Sequence, residues 1–139
     1  MAGRLRVYLV DTNVWLERLL DQEKSDPVGR FLDSIPSERL ALTDFSLHSI
    51  GIIMNRLQKL ESFGSFVEDA FVQGGVRLVR LEPEDMPRLV AIIAQFQLDF
   101  DDAYQYVAAE KHDLILVSFD QDFDRTSGGR KTPEEILSA

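Results

Sequence analysis

The chain has 139 residues, 45% of them hydrophobic, which is enough for one domain with a substantial core and too apolar for a disordered segment. Cysteine is absent, so disulfides, thiolate metal sites and a cysteine nucleophile are excluded, as suits a reducing compartment. With 24 acidic against 15 basic side chains the formal net charge is -9, so a polyanionic ligand needs a divalent cation, a local basic patch or a basic partner chain.

Residues 7–10 form a continuous apolar run, the pattern of a strand buried on both faces. Residues 13–20 follow with Val14, Leu16, Leu19 and Leu20 at near-helical spacing. Ser25, Asp26 and Pro27 then predict a second helix start, with Asp26 as cap and Pro27 in the first turn, running to about Ile35 before Pro36 stops it. A brief strand is expected over 40–43. From Asp44 the residues Leu47, Ile50, Met54, Leu57 and Leu60 mark one long helix, which Phe45, Ile52 and Ile53 make apolar on other faces too. A further helix carries Phe63, Phe66, Val67, Ala70 and Phe71 and ends at Gly74 and Gly75. Its aromatic stripe is core material or a contact for another chain.

Residues 76–81 alternate among arginines and read as an edge-type strand. Pro83 opens a helix through Met86, Leu89, Val90, Ile93 and Phe96, residues 101–111 form the next, and 114–117 are the last strand. In the tail, Thr132, Pro133 and Glu135 make a capping box for a final helical turn. No repeat or linker divides this order, so a single domain over 1–139 is expected. No basic, apolar leader is visible and no apolar run approaches the roughly 20 residues that cross a bilayer. A soluble, cytoplasmic protein without a membrane partner is the expectation.

Strands alternating with helices predict an α/β fold: a three-layer α/β/α sandwich around a mostly parallel sheet. Ligands of such sheets collect beyond the carboxyl ends of the strands, where strand order reverses. Asp11 and Asp120 each sit just past such an end, in "VYLVDTNVW" and "LVSFDQDF". Asp99, Asp101 and Asp102 gather at a helix start between them, two of them as caps or dipole partners and one as a third member of the site. Converging carboxylates repel and raise one another's pKa, so they imply shared protons or a bound cation. Oxygen donors, no cysteine and two histidines favour Mg²⁺ or Mn²⁺ over zinc. Such an ion suits phosphodiester hydrolysis and would reconcile an acidic protein with a polyanion.

The stretches "VDTNVWLERL" and "LDFDDAYQYVAAEKHDLILVSFDQDF", with the helices between them, resemble the PIN domain family, and in particular the small VapC-type ribonuclease toxins of prokaryotic toxin-antitoxin pairs. Matched by position, the resemblance implies that Asp11, Asp102 and Asp120 are catalytic and hold the metal. Thr12, Asn13 and Ser118 support them through hydroxyl or amide hydrogen bonds, and Asp122, Ser49 and His48 are possible accessory residues. It also implies an RNA substrate, a homodimer and a small antitoxin that covers the site, with the apolar helices between Asp44 and Phe71 as the place for protein contacts. The chain departs from the pattern at one position. Where the family carries a glutamate early in the helix after the second strand, this sequence has Ser49 with His48 beside it, and no glutamate occurs from Leu40 to Lys59. Asp44 reads as a helix cap that could instead reach the site, and Arg125, Arg130 and Lys131 read as phosphate contacts or an ordinary loop. Two alternatives follow: a PIN domain that binds or regulates without cutting, and, on weaker grounds, a phosphoacceptor receiver domain, for which the second strand offers no acceptor aspartate.

Overall fold

The computed structural model describes residues 5–139. Its strands are β1 (Tyr8–Val10), β2 (Leu40–Thr43), β3 (Arg77–Val79) and β4 (Ile115–Val117). Its helices are α1 (Thr12–Leu19), α2 (Ser25–Ser34), α3 (Asp44–Arg56), α4 (Leu60–Val67), α5 (Met86–Phe96), α6 (Phe100–His112) and α7 (Pro133–Leu137). The strands form one parallel sheet in the order β3-β2-β1-β4. The chain builds outward from β1 through β2 to the edge strand β3, then returns on the other side as β4. Strand order therefore reverses between β1 and β4, which is where α/β sheets open a crevice. The register sets Val10 opposite Val117, so the two strands end level. A hydrogen bond of 2.9 Å from Asp11 N to Val117 O holds the exits together.

The period of two along each strand sorts the core into two layers. Leu9, Ala41 and Leu116 face α5 and α6, where they meet Leu89, Ile92, Val107 and Ala108. Tyr8, Val10, Leu40, Leu42 and Val117 face α1 to α4, packing with Val14, Trp15, Phe31, Ile50, Met54 and Phe66. The expected α/β sandwich is therefore present, with helices on both faces. Among the described residues no helix is long and apolar enough to cross a membrane.

Several boundaries differ from the sequence reading. The first helix begins at Thr12 with Asp11 as its cap. Asp26 does not cap α2 but lies in its first turn, behind Lys24. The helix starts early because buried Ser25 is drawn inward, its hydroxyl 3.2 Å from Arg18 Nη1. The long helix predicted from Asp44 to Leu60 is two helices. Gln58 adopts a left-handed φ of 58°, and Gln58 N and Lys59 N bond back to Asn55 O and Met54 O, closing α3 in a Schellman turn. Beyond α4 a wide π-helical segment, Glu68–Gln73, carries the chain to the stop predicted at Gly74, where only glycine fits because a Cβ would meet Asp69 O at 2.7 Å and Ala70 O at 2.8 Å.

Candidate active site

The end of β1 delivers Asp11 into a nearly enclosed position, 6% exposed. Its Oδ1 accepts from Thr12 N at 2.8 Å and from Gln105 Nε2 at 2.9 Å, while Oδ2 accepts from Ser118 Oγ at 2.7 Å. Burial pushes the Asp11 carboxyl above its ordinary range, against the pull of the Ser118 and Gln105 donors, and the charge of Asp120 adds to the rise. Ser118 leaves β4 and serves two acids, because its Oγ also accepts from Asp120 N at 3.0 Å. Asp120 in turn caps the tight turn that follows, its Oδ1 accepting from Asp122 N at 2.9 Å.

The third wall is the start of α6. Asp99 caps that helix by accepting from Asp102 N at 2.8 Å, which turns Asp102 toward the strand ends. Asp102 Oδ2 is buried and has no hydrogen-bond partner. The Asp120 carboxylate beside it can only accept while both are ionised, so a proton or a cation is required between them. Accordingly the Asp102 carboxyl is pushed up to about 8, first by burial and then by Asp120. Asp102, Asp120 and Asp122 each offer one oxygen within 4.8 Å of the others.

Asp11, Asp102 and Asp120 line one cleft of about 310 Å³, together with Thr12, Asn13, Ser49 and Asp101. The tightest group of oxygens nevertheless takes Asp122 in place of Asp11. Asn13 Oδ1 accepts from Phe119 N at 3.4 Å and Thr12 Oγ1 lies 2.8 Å from Ser46 Oγ. His48 turns out of the cleft, exposed in a separate hollow with Leu47, Gly51 and Phe63. Asp44 is neither cap nor site residue. Thr43 caps α3 by accepting from Ser46 N, and Asp44 Oδ1 accepts from Phe45 N and from the Tyr104 hydroxyl. The basic residues after Asp120 are largely committed. Arg125 bonds Asp122 and the carbonyls of Phe96 and Gln97, and Arg130 bonds Asp124 and Ser118 O, whereas Lys131 joins the sheet edge through its backbone and keeps an exposed side chain.

Three buried polar residues at the site went unrecognised in the sequence: Thr43, Ser46 and Gln105. Their signal was spacing. Thr43, Ser46 and Ser49 recur every three residues along the start of α3, and Gln105 stands three beyond Asp102 on α6, so each set shares a helix face. The donor set the site offers is oxygen throughout, with one buried carboxylate oxygen left over, which fits a small hard dication.

A model of the PIN domain family matches residues 8–129. No curated protein matches. Among solved structures, a toxin-antitoxin complex from Klebsiella pneumoniae is similar with a TM-score of 0.73 and 18% identity, over 91% of this chain and 97% of that one. Mycobacterium tuberculosis VapC20, described as a toxin that cleaves the sarcin-ricin loop, superposes with a TM-score of 0.70 and 16% identity, over 84% of this chain and 92% of its own. FitAcB from Neisseria gonorrhoeae gives a TM-score of 0.67 and 21% identity, over 92% of this chain and 99% of that one.

Proposed function

The chain belongs to the PIN domain family, and from that premise we propose that it is a Mg²⁺- or Mn²⁺-dependent endoribonuclease, the toxin of a toxin-antitoxin pair. The observation that carries this reading is the meeting of Asp102, Asp120 and Asp122, with Asp102 Oδ2 buried and unpartnered. These three carboxylates would hold the cation, with the buried charge of Asp11 behind them. When bound, such an ion offsets negative charge on a phosphate and makes water a stronger acid near neutral pH. Ser118 fixes the spacing of Asp11 and Asp120 by bonding both, and Asp99 sets the angle of Asp102. Leu16, Phe45 and Ile53 form an apolar wall on the cleft, which would seat a ribonucleotide against the acids and exclude bulk water.

The likeness to a toxin described as cleaving the sarcin-ricin loop and to a toxin-antitoxin complex supports RNA as substrate and a small antitoxin as partner. Exposed Ile52, Leu57 and Leu60 along α3 and α4 supply apolar surface for protein contacts, including a second copy of the chain. A cytoplasmic site of action goes with this reading.

Ser49 supports a second reading. It lies in the cleft at the place of the family's glutamate and brings no charge, which favours a PIN domain that binds without cutting. The two readings separate in an RNA cleavage assay with Mg²⁺ or Mn²⁺. The nuclease cuts, loses activity in chelator, and loses it in Asp120→Asn. Intact RNA under all metal conditions would leave the binding module.

A further inference from the structure

Gln105 is 1% exposed, inside a helix whose neighbouring side chains are mostly core. A buried carboxamide has to place its donors and acceptor, and here the surrounding bonds determine which end is which. Thr43 Oγ1 accepts the Ser46 N–H as the cap of α3 and gives its own proton to Gln105 Oε1, 2.6 Å away, because the other end of the amide meets the Asp11 carboxylate, which calls for a donor. The amide nitrogen therefore faces the other way. It donates to Asp11 Oδ1 at 2.9 Å and to Ser46 Oγ at 2.8 Å. Ser46, accepting from the amide, then has its proton for Thr12 Oγ1.

The consequence falls on Asp11. A carboxylate oxygen accepts about two hydrogen bonds. Asp11 Oδ1 has two, from Thr12 N and Gln105 Nε2, whereas Oδ2 has one, from Ser118. We propose that Gln105 is a positioning residue for the metal centre: its amide, aimed by Thr43, saturates Oδ1 of Asp11 and leaves Oδ2 as the oxygen open to a cation or its water. An apolar side chain of similar size would fill the same space without a polar desolvation cost, so packing alone gives no reason for an amide there. The proposal rests on the metal reading of the cleft. It assigns the amide to the site through Asp11 and not through contact with substrate.

The test compares Mn²⁺ binding, followed by electron paramagnetic resonance of the free ion, with thermal melting in chelator. Gln105→Leu and Gln105→Met both remove the donor at nearly constant volume. Each is expected to keep the fold and to weaken Mn²⁺ binding by about 10-fold or more, the usual loss on removing a hydrogen bond that orients a ligand. Ile92→Val, on the buried face of α5, is the structural control: it lowers the melting temperature and leaves Mn²⁺ affinity unchanged. Should Gln105→Leu fail to fold, the less constrained Met variant carries the measurement. Variants that bind Mn²⁺ within about twofold of the native chain overturn the positioning role while the metal reading stands. A native chain that takes up no Mn²⁺ overturns both, and one that binds Mn²⁺ but cuts no RNA overturns the nuclease reading alone.

Discussion

Asp102 sits in unfavourable electrostatics, because its Oδ2 is buried without a donor and its neighbour is another carboxylate. Its folded pKa of about 8 stands above the unfolded value of about 3.9, so between those values the folded state binds the extra proton. Stability of the metal-free protein is therefore fullest at the acidic end of that window, falls as pH rises toward 8, and levels off above it. Urea unfolding in chelator across this range is expected to show that slope. Saturating Mn²⁺ should flatten it, and Asp102→Asn should make it shallower, leaving the part that Asp11 contributes, while raising metal-free stability at pH 8 by on the order of 1 kcal/mol. A slope unchanged in Asp102→Asn would place the titrating charge elsewhere. At this scale the sequence was informative where an acid followed an apolar run, as at Asp11 and Asp120. For Gln105 it offered only the spacing of three from Asp102, a faint signal because a glutamine within a helix is ordinarily solvated. Ser49 was legible only as a departure from a pattern, because its place in the cleft is set by how α3 packs in the fold.

At the level of elements, strand ends and proline or glycine stops were readable because each has a local cause. The break between α3 and α4 was not, because its cause is a backbone conformation held by glutamine. Gln58 at a φ of 58° occupies the position that glycine ordinarily takes in a Schellman turn. The break redirects α4 so that Phe66 reaches Trp15, with ring centroids 5.3 Å apart, which turns an apparent aromatic stripe into core. Left-handed backbone costs a residue with a Cβ roughly 1 kcal/mol, and Gln58 is exposed with little packing to lose. Gln58→Gly is thus expected to stabilise the protein by about 0.5–1 kcal/mol in chemical denaturation, without altering Mn²⁺ binding. Destabilisation would mean that Gln58 makes a contact worth more than its strain.

Across the whole molecule the question is how a chain of net charge -9 approaches RNA. A basic patch is the usual device, but the arginines that follow Asp120 beside the cleft are already spent on acids, as are two basic groups on α5 and α6. Arg88 pairs with Glu110, Lys111 with Asp85, Arg125 with Asp122 and Arg130 with Asp124. Beside the cleft, Arg125 and Arg130 are thus tied to acids, so few phosphates are neutralised there and few counterions are released by binding in the cleft. For a single strand the slope of log K against log salt is about -0.7 per phosphate contacted, and two contacts would give a slope near -1.4. Fluorescence anisotropy of a labelled single-stranded RNA is expected to show a slope no steeper than that. Binding should instead weaken by about 10-fold or more when chelator removes the divalent ion, because the ion reverses local charge where substrate meets the acids. A steep salt slope with no response to chelator would mean that RNA is held by a basic surface away from the cleft. The carboxylates would then have to be explained without substrate.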